Sequence, residues 1–408
     1  MDNQIFDHKK IVLAVTGSIA VYKAVDLASK LTQAGALVDV VMSESAQRFV
    51  TPLTFQSVTG RPVHTDMWQE QTHVQHVRLG EQADLMVVAP ATAHTISRLA
   101  QGAADNMVTL TALTARCPLV VAPAMDGGMF SNKAVQTNLQ ILIHRGATIL
   151  GPAEGRMASG LFGKGRLLEP AQLFQHLRHL LARNGRLEGR HVVVTAGPTQ
   201  EPLDPVRFLS NRSTGKQGLA LAQAALDLGA TVSLITGPIS EPIPAGANQI
   251  KVRTAVEMAE VVKAATRSAD ILLMAAAVAD FRPATVADQK IKKTAMKTDE
   301  PSVVLARNPD ILEAVKEQRE QDGFPRVVVG FAAETKDVIK SGKDKLARKG
   351  MDLIAINDVS ADDAGFAVDD NRVILLGKDG FEAQLPLQSK YEVAMRILEQ
   401  ATDYLLNR

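Results

Sequence analysis

Short apolar runs alternate with helix-period stretches along the chain, and one order of elements occurs twice. The apolar run at residues 11–15 leads through a turn into an amphipathic stretch at 22–33, and a second apolar run follows at 38–42. The same order recurs downstream at residues 191–195, 216–228 and 231–236. Strand, turn, helix and strand in succession are typical of a βαβ unit with parallel strands. The pattern predicts an α/β protein with two doubly wound (Rossmann-like) domains and mainly parallel sheets.

Further apolar runs extend both predicted sheets. They lie at 85–89, 119–122 and 147–150 in the first half, and at 271–275, 327–330, 353–355 and 373–376 in the second. Residues 181–190 (LARNGRLEGR) are polar and rich in arginine, so we place a boundary near residue 188, between domains 1–188 and 189–408. Residues 284–303 contain few large apolar side chains and predict a loop or an extended arm.

Composition narrows the class of protein. The 408 residues are 46% hydrophobic and 22% charged, which is ordinary for a globular chain. Lys and Arg total 45 against 44 Asp and Glu, so there is no general attraction to nucleic acid or to an anionic membrane. The single cysteine, Cys117, excludes an intrachain disulfide and an all-cysteine metal site. The opening MDNQIFDHKK lacks a hydrophobic signal core, and no apolar run reaches the roughly 20 residues of a membrane helix. We therefore expect a cytoplasmic protein.

A first candidate site follows the first two strands. The turn TGSIA at 16–20 opens a helix, where backbone N–H groups can hold a phosphate and Gly17 permits close approach. Ser43 ends the second strand, at the edge where open α/β sheets bind ligands. The turn lacks the three-glycine dinucleotide fingerprint, which favours a mononucleotide over NAD. An ordinary strand-to-helix turn is the alternative.

Three more segments place polar residues after apolar elements. Residues 87–95 (VVAPATAHT) and 120–129 (VVAPAMDGGM) end successive predicted strands in Ala-Pro-Ala, and 102–106 (GAADN) follows an apolar helix. Because successive strands that end alike place their loops at one sheet edge, we expect both loops to face one pocket.

These segments, with TGSIAVYKA, TPLTF at 51–55, HVRLG around His76 and GRMASGLFGKGR at 155–166, resemble the flavin-dependent cysteine decarboxylases that act on phosphopantothenoylcysteine. The resemblance implies a flavodoxin-like flavoprotein domain that binds FMN. The FMN contacts that it implies are Gly17, Ser18, Ser43, Thr92 and Asn106.

The resemblance also implies that His76 is the catalytic histidine. Oxidising the substrate thiol through FMN would create an electron sink for the loss of CO₂, and a histidine of near-neutral pKa can transfer the protons. Taken without the family, His76 could be a structural histidine, with His73 as a similar neighbour.

Two positions depart from the family's pattern. Asp126, which shares the predicted substrate-binding segment with Met129, stands where the family often has an asparagine for the substrate carboxylate. An ionised aspartate would repel that carboxylate unless it is protonated or paired with a cation. Ser159 stands where many members carry a flap cysteine that returns reducing equivalents, and we expect Cys117 to be a buried filler. The alternative function is therefore an active second domain joined to a first domain that binds FMN without completing decarboxylation.

The second half carries a different anion-binding pattern. Residues 195–218 (TAGPTQEPLDPVRFLSNRSTGKQG) place Ser213, Thr214, Gly215 and Lys216 where a helix N-terminus can receive phosphate, although the P-loop spacing is missing. A Gly-Pro loop at 235–244 ends the next strand, so two loops can converge on one anion.

The motifs that follow resemble phosphopantothenate–cysteine ligase across residues 189–400. They are AAAVADFRP at 275–283, KIKK at 290–293, NPDIL at 308–312, GFAAET at 330–335 and KGMDLIAINDVS at 349–360. The order of the two halves resembles the bacterial decarboxylase–ligase fusions of coenzyme A biosynthesis. The resemblance implies that the chain joins phosphopantothenate to cysteine through an acyl-cytidylate, using CTP and Mg²⁺, and decarboxylates the product. It further implies a homo-oligomer, trimer-based in the first half and dimeric in the second.

The ligase resemblance assigns roles to single residues. Lys290 would contact the triphosphate and assist formation of the acyl-cytidylate, and Asn211 would engage that intermediate in the second step. The implied nucleotide contacts are Met274, Ala275, Ala276, Asp280, Lys290, Asn308, Pro309, Asp310, Ile311, Phe331, Lys345 and Lys349.

Simpler interpretations exist for several of these residues. KIKK could be a solvated basic turn, Lys345 and Lys349 an exposed helix face, and Asp280 a helix cap. The first half could also be a flavoprotein module that regulates a protein partner, while a dinucleotide oxidoreductase is least favoured. The residues leave open the choice between CTP and ATP and the side chains that hold the metal.

Overall fold

The computed structural model describes residues 5–68, 74–292, 302–334, 337–358 and 370–407. Packing divides the chain into two units, the first ending at Leu181 and the second beginning at Ala182. Every helix within the described residues is too short or too polar to cross a membrane.

The first unit is built on a six-stranded sheet whose strands are all parallel. Its strands are β1 (Lys10–Val15), β2 (Leu37–Met42), β3 (Val63–His64), β4 (Leu85–Ala91), β5 (Leu119–Pro123) and β6 (Thr148–Ile149). Its helices are α1 (Val21–Gln33), α2 (Pro52–Thr59), α3 (Gln75–Gln82), α4 (Ala93–Gln101), α5 (Met107–Thr114), α6 (Gly127–Phe130), α7 (Lys133–His144) and α8 (Pro170–Leu181). A separate antiparallel hairpin joins β7 (Ala153–Arg156) to β8 (Phe162–Arg166).

Alternate residues of the first strand enter two different cores. Leu13 packs with Leu27 of α1 on one face of the sheet, and Val12 packs with Met86 and Ile96 on the other. Successive strand side chains point to opposite faces, so a strand covered by helices on both faces is apolar throughout. This explains why the parallel strands are short, continuous apolar runs in the sequence.

The order of the strands fixes where a ligand can enter the first unit. The sheet runs β3-β2-β1-β4-β5-β6, so the connections diverge between β1 and β4. In doubly wound sheets the crevice at the carboxyl ends of these two strands binds ligands.

The second unit contains an eight-stranded sheet of the same design. Its elements, in chain order, are β9 (His191–Ala196), β10 (Gln200–Pro202), β11 (Phe208–Ser210), α9 (Lys216–Asp227), β12 (Thr231–Thr236), β13 (Asn248–Lys251), α10 (Ala255–Ala265), β14 (Ile271–Met274), β15 (Phe281–Pro283), β16 (Leu305–Arg307), α11 (Ile311–Asp322), β17 (Val327–Glu334), α12 (Val338–Arg348), β18 (Leu353–Asp358), β19 (Asp370–Gly377), β20 (Glu382–Ser389) and α13 (Lys390–Leu406). The order β13-β12-β9-β14-β17-β18-β19-β20 again diverges, here between β9 and β14. Within this sheet β13, β12, β9, β14, β17 and β18 are parallel, and β19 and β20 are antiparallel. The prediction of two doubly wound α/β domains with mainly parallel sheets is confirmed.

Two small antiparallel pairs stand outside the large sheet. Strands β10 and β11 form one pair, and β15 and β16 form the other. The second pair encloses the predicted loop at 284–303, of which residues 293–301, including Lys293 of the KIKK motif, lie outside the described residues. Both pairs border the carboxyl edge of the sheet and so shape the site.

Candidate active sites

In the first unit, a buried hydroxyl joins the ends of the two strands that flank the crevice. Thr16 Oγ1, just after β1, donates to the carbonyl of Pro90 at 2.6 Å and accepts from the backbone N–H of Thr92 at 3.2 Å. These two hydrogen bonds bring the predicted FMN-binding turn at Gly17 and Ser18 beside Thr92, at the switch point of the sheet.

The turn at Gly17 has no room for a side chain. A β-carbon there would lie 2.6 Å from both Cβ and Oγ of Ser45. Ser43 Oγ lies 3.2 Å from Ser45 Oγ and accepts from the backbone N–H of Ala46 at 3.3 Å. Ser18 Oγ likewise accepts from the N–H of Ala20 at 3.3 Å. The two loops therefore meet closely at the sheet edge, which suits a ligand that approaches the backbone.

Two other predicted FMN contacts begin helices. Thr92 caps α4 by accepting from the N–H of Thr95, and Asn106 caps α5 by accepting from the N–H of Thr109 at 3.1 Å. A helix N-terminus carries partial positive charge and free N–H groups, which favour an anionic ligand.

Asp126 and Ser159 are hydrogen-bonded to each other. Asp126 follows β5 and caps α6; its carboxylate accepts from Ser159 Oγ at 2.7 Å and from the N–H of Gly128 at 3.0 Å. The Ser159 hydroxyl, with the Gly128 N–H, lowers the pKa of Asp126 below its ordinary value. These two donors favour the ionised form of the carboxylate. Met129, in the same short helix, is 51% exposed.

Ser159 lies in the turn of the β7–β8 hairpin, which is fastened to the same loop at two more points. The N–H of Met125 donates to the carbonyl of Gly165 at 3.0 Å, and the N–H of Gly127 donates to Met157 Sδ at 3.1 Å. The hairpin thus rests on the loop that follows β5.

His76 lies apart from these groups. It is the second residue of α3, and its carbonyl accepts from Thr114 Oγ1 at the end of α5, whereas Asn106 begins that helix. Its Nδ1 is buried and has no hydrogen-bond partner among the described residues. His73 lies outside the described residues.

The second unit holds a cavity of about 460 Å³ at the carboxyl edge of its sheet. This volume falls within the usual range for small-molecule sites. The sequence-predicted residues that line it are Asn211, Met274, Ala275, Ala276, Asp280, Asn308, Pro309, Asp310, Ile311, Phe331 and Lys345.

The N-terminus of α9 forms one wall of the cavity. Gly215 precedes the helix with a φ of +81°, and a β-carbon there would lie 2.7 Å from Ile239 Cγ2 in the 235–244 loop. The N–H of Gly237 in that loop donates to the carbonyl of Ala196 at 3.0 Å. The two loops predicted to converge therefore lie in contact, and only glycine fits between them.

Two amide side chains shape the opposite wall. Asn211 Nδ2 donates to the carbonyls of Ala277 and Val278 at 3.2 and 3.1 Å. Asn308 Nδ2 donates to the carbonyl of Ala279 at 2.8 Å. Both side chains thus hold the backbone that follows β14, and both line the cavity.

Two predicted lysines are not among the lining residues. Lys349 is 13% exposed and forms ion pairs with Asp310 and, at 3.8 Å, with Glu313. Burial acts to raise the pKa of Asp310, but the Lys349 ammonium prevails and lowers it. Lys290 is exposed, on the loop after β15.

Three polar lining residues were not assigned individually from the sequence: Gln217, Asn357 and Lys390. Gln217 Nε2 donates to the carbonyl of Lys390 at 3.2 Å. Asn371 Nδ2 lies within hydrogen-bond distance of Gln217 Oε1 and Asn357 Oδ1, at 3.3 and 3.1 Å. The Ser389–Glu392 capping box, an S-x-x-E signature, is the sequence signal that could have located Lys390 at a helix start.

Metal ligands do not cluster in the described part of the chain. It contains no group of three or more His, Cys, Asp or Glu side chains able to hold a metal ion.

Comparison with known proteins assigns each unit to a family. Residues 3–182 match the Flavoprotein family, and residues 187–405 match the family described as DNA/pantothenate metabolism flavoprotein C-terminal domain. A solved structure of the C-terminal domain of coenzyme A biosynthesis bifunctional protein CoaBC is 35% identical, with a TM-score of 0.46, and covers 55% of this chain and 100% of that one.

Curated relatives match along almost the entire chain. Coenzyme A biosynthesis bifunctional protein CoaBC of Bacillus subtilis (strain 168) is 46% identical over 97% of this chain and 97% of its own length. The protein of the same name from Mycobacterium tuberculosis (strain ATCC 25618 / H37Rv) is 45% identical over 98% of both chains. At this identity and coverage, the chain belongs to the CoaBC family of bifunctional coenzyme A biosynthesis proteins.

Proposed function

We propose that the second unit joins phosphopantothenate to cysteine at the expense of CTP, and that the first unit decarboxylates the resulting phosphopantothenoylcysteine to phosphopantetheine. The observation that carries the proposal is the 460 Å³ cavity, because its walls combine a helix N-terminus with ten of the twelve predicted nucleotide contacts. The CoaBC relatives are named as bifunctional proteins over almost this whole length, so a ligase with an incomplete decarboxylase is not favoured.

The ligase reaction requires a carboxylate to become electrophilic. Its oxygen attacks the α-phosphorus of CTP, pyrophosphate leaves, and the cysteine amine then displaces CMP from the mixed anhydride. The N-terminus of α9, with its partial positive charge, and the ammonium of Lys345 line the cavity and can neutralise phosphate charge. We assign Lys290 to the first step and Asn211 to the second.

The first unit has the features that an FMN site requires. The turn at Gly17, where a β-carbon does not fit, the hydroxyls of Ser18 and Ser43, and the start of α4 at Thr92 lie at one sheet edge, and Asn106 begins a second helix. When bound there, FMN supplies a reversible two-electron oxidation of the substrate thiol. The chain's own groups orient the substrate and transfer protons. We assign the proton transfer to His76.

Asp126, paired with Ser159, presents an anion to the substrate. An ionised carboxylate attracts hydrogen-bond donors and repels another carboxylate at close range. We infer that Asp126 and Met129 contact a part of the substrate that is remote from its carboxylate. The β7–β8 hairpin, which carries Ser159, would cover that part.

Mg²⁺ belongs to the proposal as a partner of the nucleotide. It binds mainly through phosphate oxygens and water, with one or two carboxylates, so a cluster of three protein ligands is not needed. Asp280 is a carboxylate that lines the cavity.

We also propose a cytoplasmic homo-oligomer, trimer-based through the first unit and dimeric through the second. Three large apolar side chains near α1 and α2 support assembly of the first unit, since Ile19, Tyr22 and Leu53 are each more than 60% exposed.

The test measures the two reactions separately. With Mg²⁺ and CTP, phosphopantothenate alone should release pyrophosphate, and added cysteine should yield phosphopantothenoylcysteine; ATP serves as the competing nucleotide. His76→Asn should abolish CO₂ release while pyrophosphate release persists. Asn211→Asp should impair formation of phosphopantothenoylcysteine after pyrophosphate has been released, while CO₂ release from phosphopantothenoylcysteine supplied directly persists. Absence of pyrophosphate release with every common nucleoside triphosphate would overturn the proposal.

A further inference from the structure

The turn between β10 and β11 contains an ion pair between a buried carboxylate and a half-exposed arginine. Arg207 donates to Asp204 Oδ2 from Nε at 2.9 Å and from Nη2 at 2.6 Å, and the N–H groups of Val206 and Arg207 donate to Oδ1, each at 2.8 Å. The Asp204 side chain is completely buried, whereas that of Arg207 is 46% exposed. Burial acts to raise the pKa of Asp204, but these donors outweigh it and hold the pKa well below its ordinary value. The carboxylate is therefore charged and fixed in the turn.

The Asp204–Arg207 pair also binds the backbone of Ile291, the residue that follows Lys290. The N–H of Ile291 donates to Asp204 Oδ2 at 3.1 Å, and Arg207 Nη2 donates to the carbonyl of Ile291 at 2.8 Å. Both backbone polar groups of Ile291 are thus bound by one ion pair. Ile291 belongs to no strand or helix, so the hydrogen bonds of secondary structure do not hold its backbone.

A second bond fastens the loop on the other side of Lys290. The N–H of Ala287 donates to the carbonyl of Leu203, which adjoins Asp204 in the hairpin turn. Lys290 is therefore carried by a segment that is fixed to one hairpin both before and after it. A chain held at both sides loses most of its backbone freedom before any ligand binds.

The hairpin also determines the position of Asn211. β11 ends at Ser210, and the next residue, Asn211, donates from its side chain to the carbonyls of Ala277 and Val278 at the cavity. One short hairpin thus connects the residues assigned to the first and second steps of ligation.

We propose that Asp204 is a positioning residue for Lys290: together with Arg207 it fixes Ile291 and so sets where the Lys290 ammonium meets the triphosphate. The inference rests on the role assigned to Lys290 under the proposed function. In that step a carboxylate oxygen bonds to the α-phosphorus and the bond to pyrophosphate breaks, so the ammonium must neutralise charge at a defined place. Misplacing such a group by about 1 Å can cost about 100-fold in rate.

Asp204→Asn tests the inference with little change of shape. The amide retains one acceptor oxygen but loses the charge that binds Arg207 and Ile291 together. We expect kcat for CTP-dependent pyrophosphate release to fall about 10- to 100-fold, with a much smaller change in KM for CTP. The matched control is Asp288→Asn, which removes an exposed carboxylate from the same loop and should leave both constants unchanged.

A double-mutant cycle with Lys290→Gln shows whether Asp204 acts through Lys290. If it does, Asp204→Asn should have no further effect in the Lys290→Gln background, whereas independent effects multiply. Multiplying effects, or wild-type kcat in Asp204→Asn while Lys290→Gln is impaired, would overturn the inference. Wild-type pyrophosphate release by Lys290→Gln would instead refute the role of Lys290 in the proposed function.

A second variant covers the case in which Asp204→Asn does not fold. Arg207→Lys keeps a cation beside Asp204 but loses the planar fork that also reaches the Ile291 carbonyl. We expect the same fall in kcat, a near-native thermal unfolding midpoint, and the same absence of an added effect with Lys290→Gln. An unchanged kcat in this folded variant would contradict the inference.

Discussion

The hydroxyl of Ser159 donates to the carboxylate of Asp126 at 2.7 Å, which joins the two positions at which the sequence departs from the decarboxylase pattern. In the sequence they are 33 residues apart and look like separate changes. In the structure they form one contact between the hairpin turn and the N-terminus of α6. A thiol is a weaker hydrogen-bond donor than a hydroxyl, and an amide carries no charge. The Asp126–Ser159 hydrogen bond is therefore stronger than one between an asparagine and a cysteine at these two positions would be.

We predict that Asp126→Asn and Ser159→Ala each loosen the β7–β8 hairpin, because the first removes the charge and the second removes the donor of the bond between the hairpin turn and the N-terminus of α6. Amide hydrogen exchange of Ala153–Arg156 and Phe162–Arg166 should accelerate several-fold in both variants, and no further in the double variant. Glu154→Gln is the control, since it neutralises an exposed carboxylate on the same hairpin. Unchanged exchange in both single variants would show that the Met125 and Met157 contacts alone hold the hairpin.

The same bond predicts how the hairpin responds to pH. The pKa of Asp126 is lowered in the folded chain. The charge-assisted hydrogen bond from Ser159 is therefore fully present above the ordinary aspartate pKa of about 3.9 and is lost as the pH falls through the lowered value. Hairpin protection, corrected for intrinsic exchange rates, should stay constant from neutral pH down to about pH 5. Opening with a midpoint near neutral pH would contradict this assignment.

We predict that Gly17→Ala weakens FMN binding. The added β-carbon would lie 2.6 Å from two side-chain atoms of Ser45, so one of the two loops has to move. Overpacking of this kind costs about 1–3 kcal/mol, or roughly 10- to 100-fold in affinity if the displacement falls on the site. Flavin absorbance per chain and a fluorescence titration measure the effect.

Ser45→Gly supplies the matched test of that clash. It removes both of the nearest atoms, so the Gly17→Ala, Ser45→Gly double variant should recover much of the FMN affinity that Gly17→Ala loses. Ser45→Gly alone should bind FMN nearly as well as the unaltered chain. Equal flavin content in Gly17→Ala and the unaltered chain would show that this turn does not meet the ligand.

The sequence predicts the buried parallel strands well because helices cover them on both faces. All seven residues of β4 are buried, and the strand is a continuous apolar run. β20 has the opposite character: all eight of its residues are exposed or partly exposed, and no apolar run marks it. The three-residue strands β10, β11, β15 and β16 are too short for any periodicity to show.

The candidate sites show the same division. The loops after β4 and β5 could be placed at one edge of the sheet because parallel strands end together there, whereas the contact roles of Thr92 and Asp280 are implied by the family resemblance. Lys390 could not be placed, since it is 173 residues from Gln217 and reaches the cavity only through the packing of α13. The ion pair of Lys349 with Asp310 likewise depends on two helices that are separate in the sequence.

We predict that Cys117 is unreactive in the native protein. Burial raises the pKa of its thiol to about 11, so only about one molecule in a thousand carries the thiolate at pH 8. A disulfide reagent should modify the native chain at least about 100-fold more slowly than the unfolded chain, which should release one equivalent per chain. Rapid stoichiometric reaction of the native chain would place Cys117 among the candidates for the redox role that Ser159 lacks.

We predict that Lys345→Met weakens nucleotide binding in the second unit without disturbing its fold. Lys345 lines the cavity from α12, whereas Lys343 on the same helix lies outside it and pairs with Glu382 at 3.4 Å. Loss of one hydrogen bond to a charged group costs about 1.5–3 kcal/mol, so KM for CTP should rise about 10- to 100-fold. Lys343→Met removes the same charge from the same helix and should leave KM unchanged, because exposed ion pairs contribute little.

CO₂ release from phosphopantothenoylcysteine should be unaffected in both variants, since that reaction belongs to the first unit. Equal KM values for the two variants would mean that Lys345 contributes only to the general field of the helix, and that the nucleotide occupies another part of the cavity.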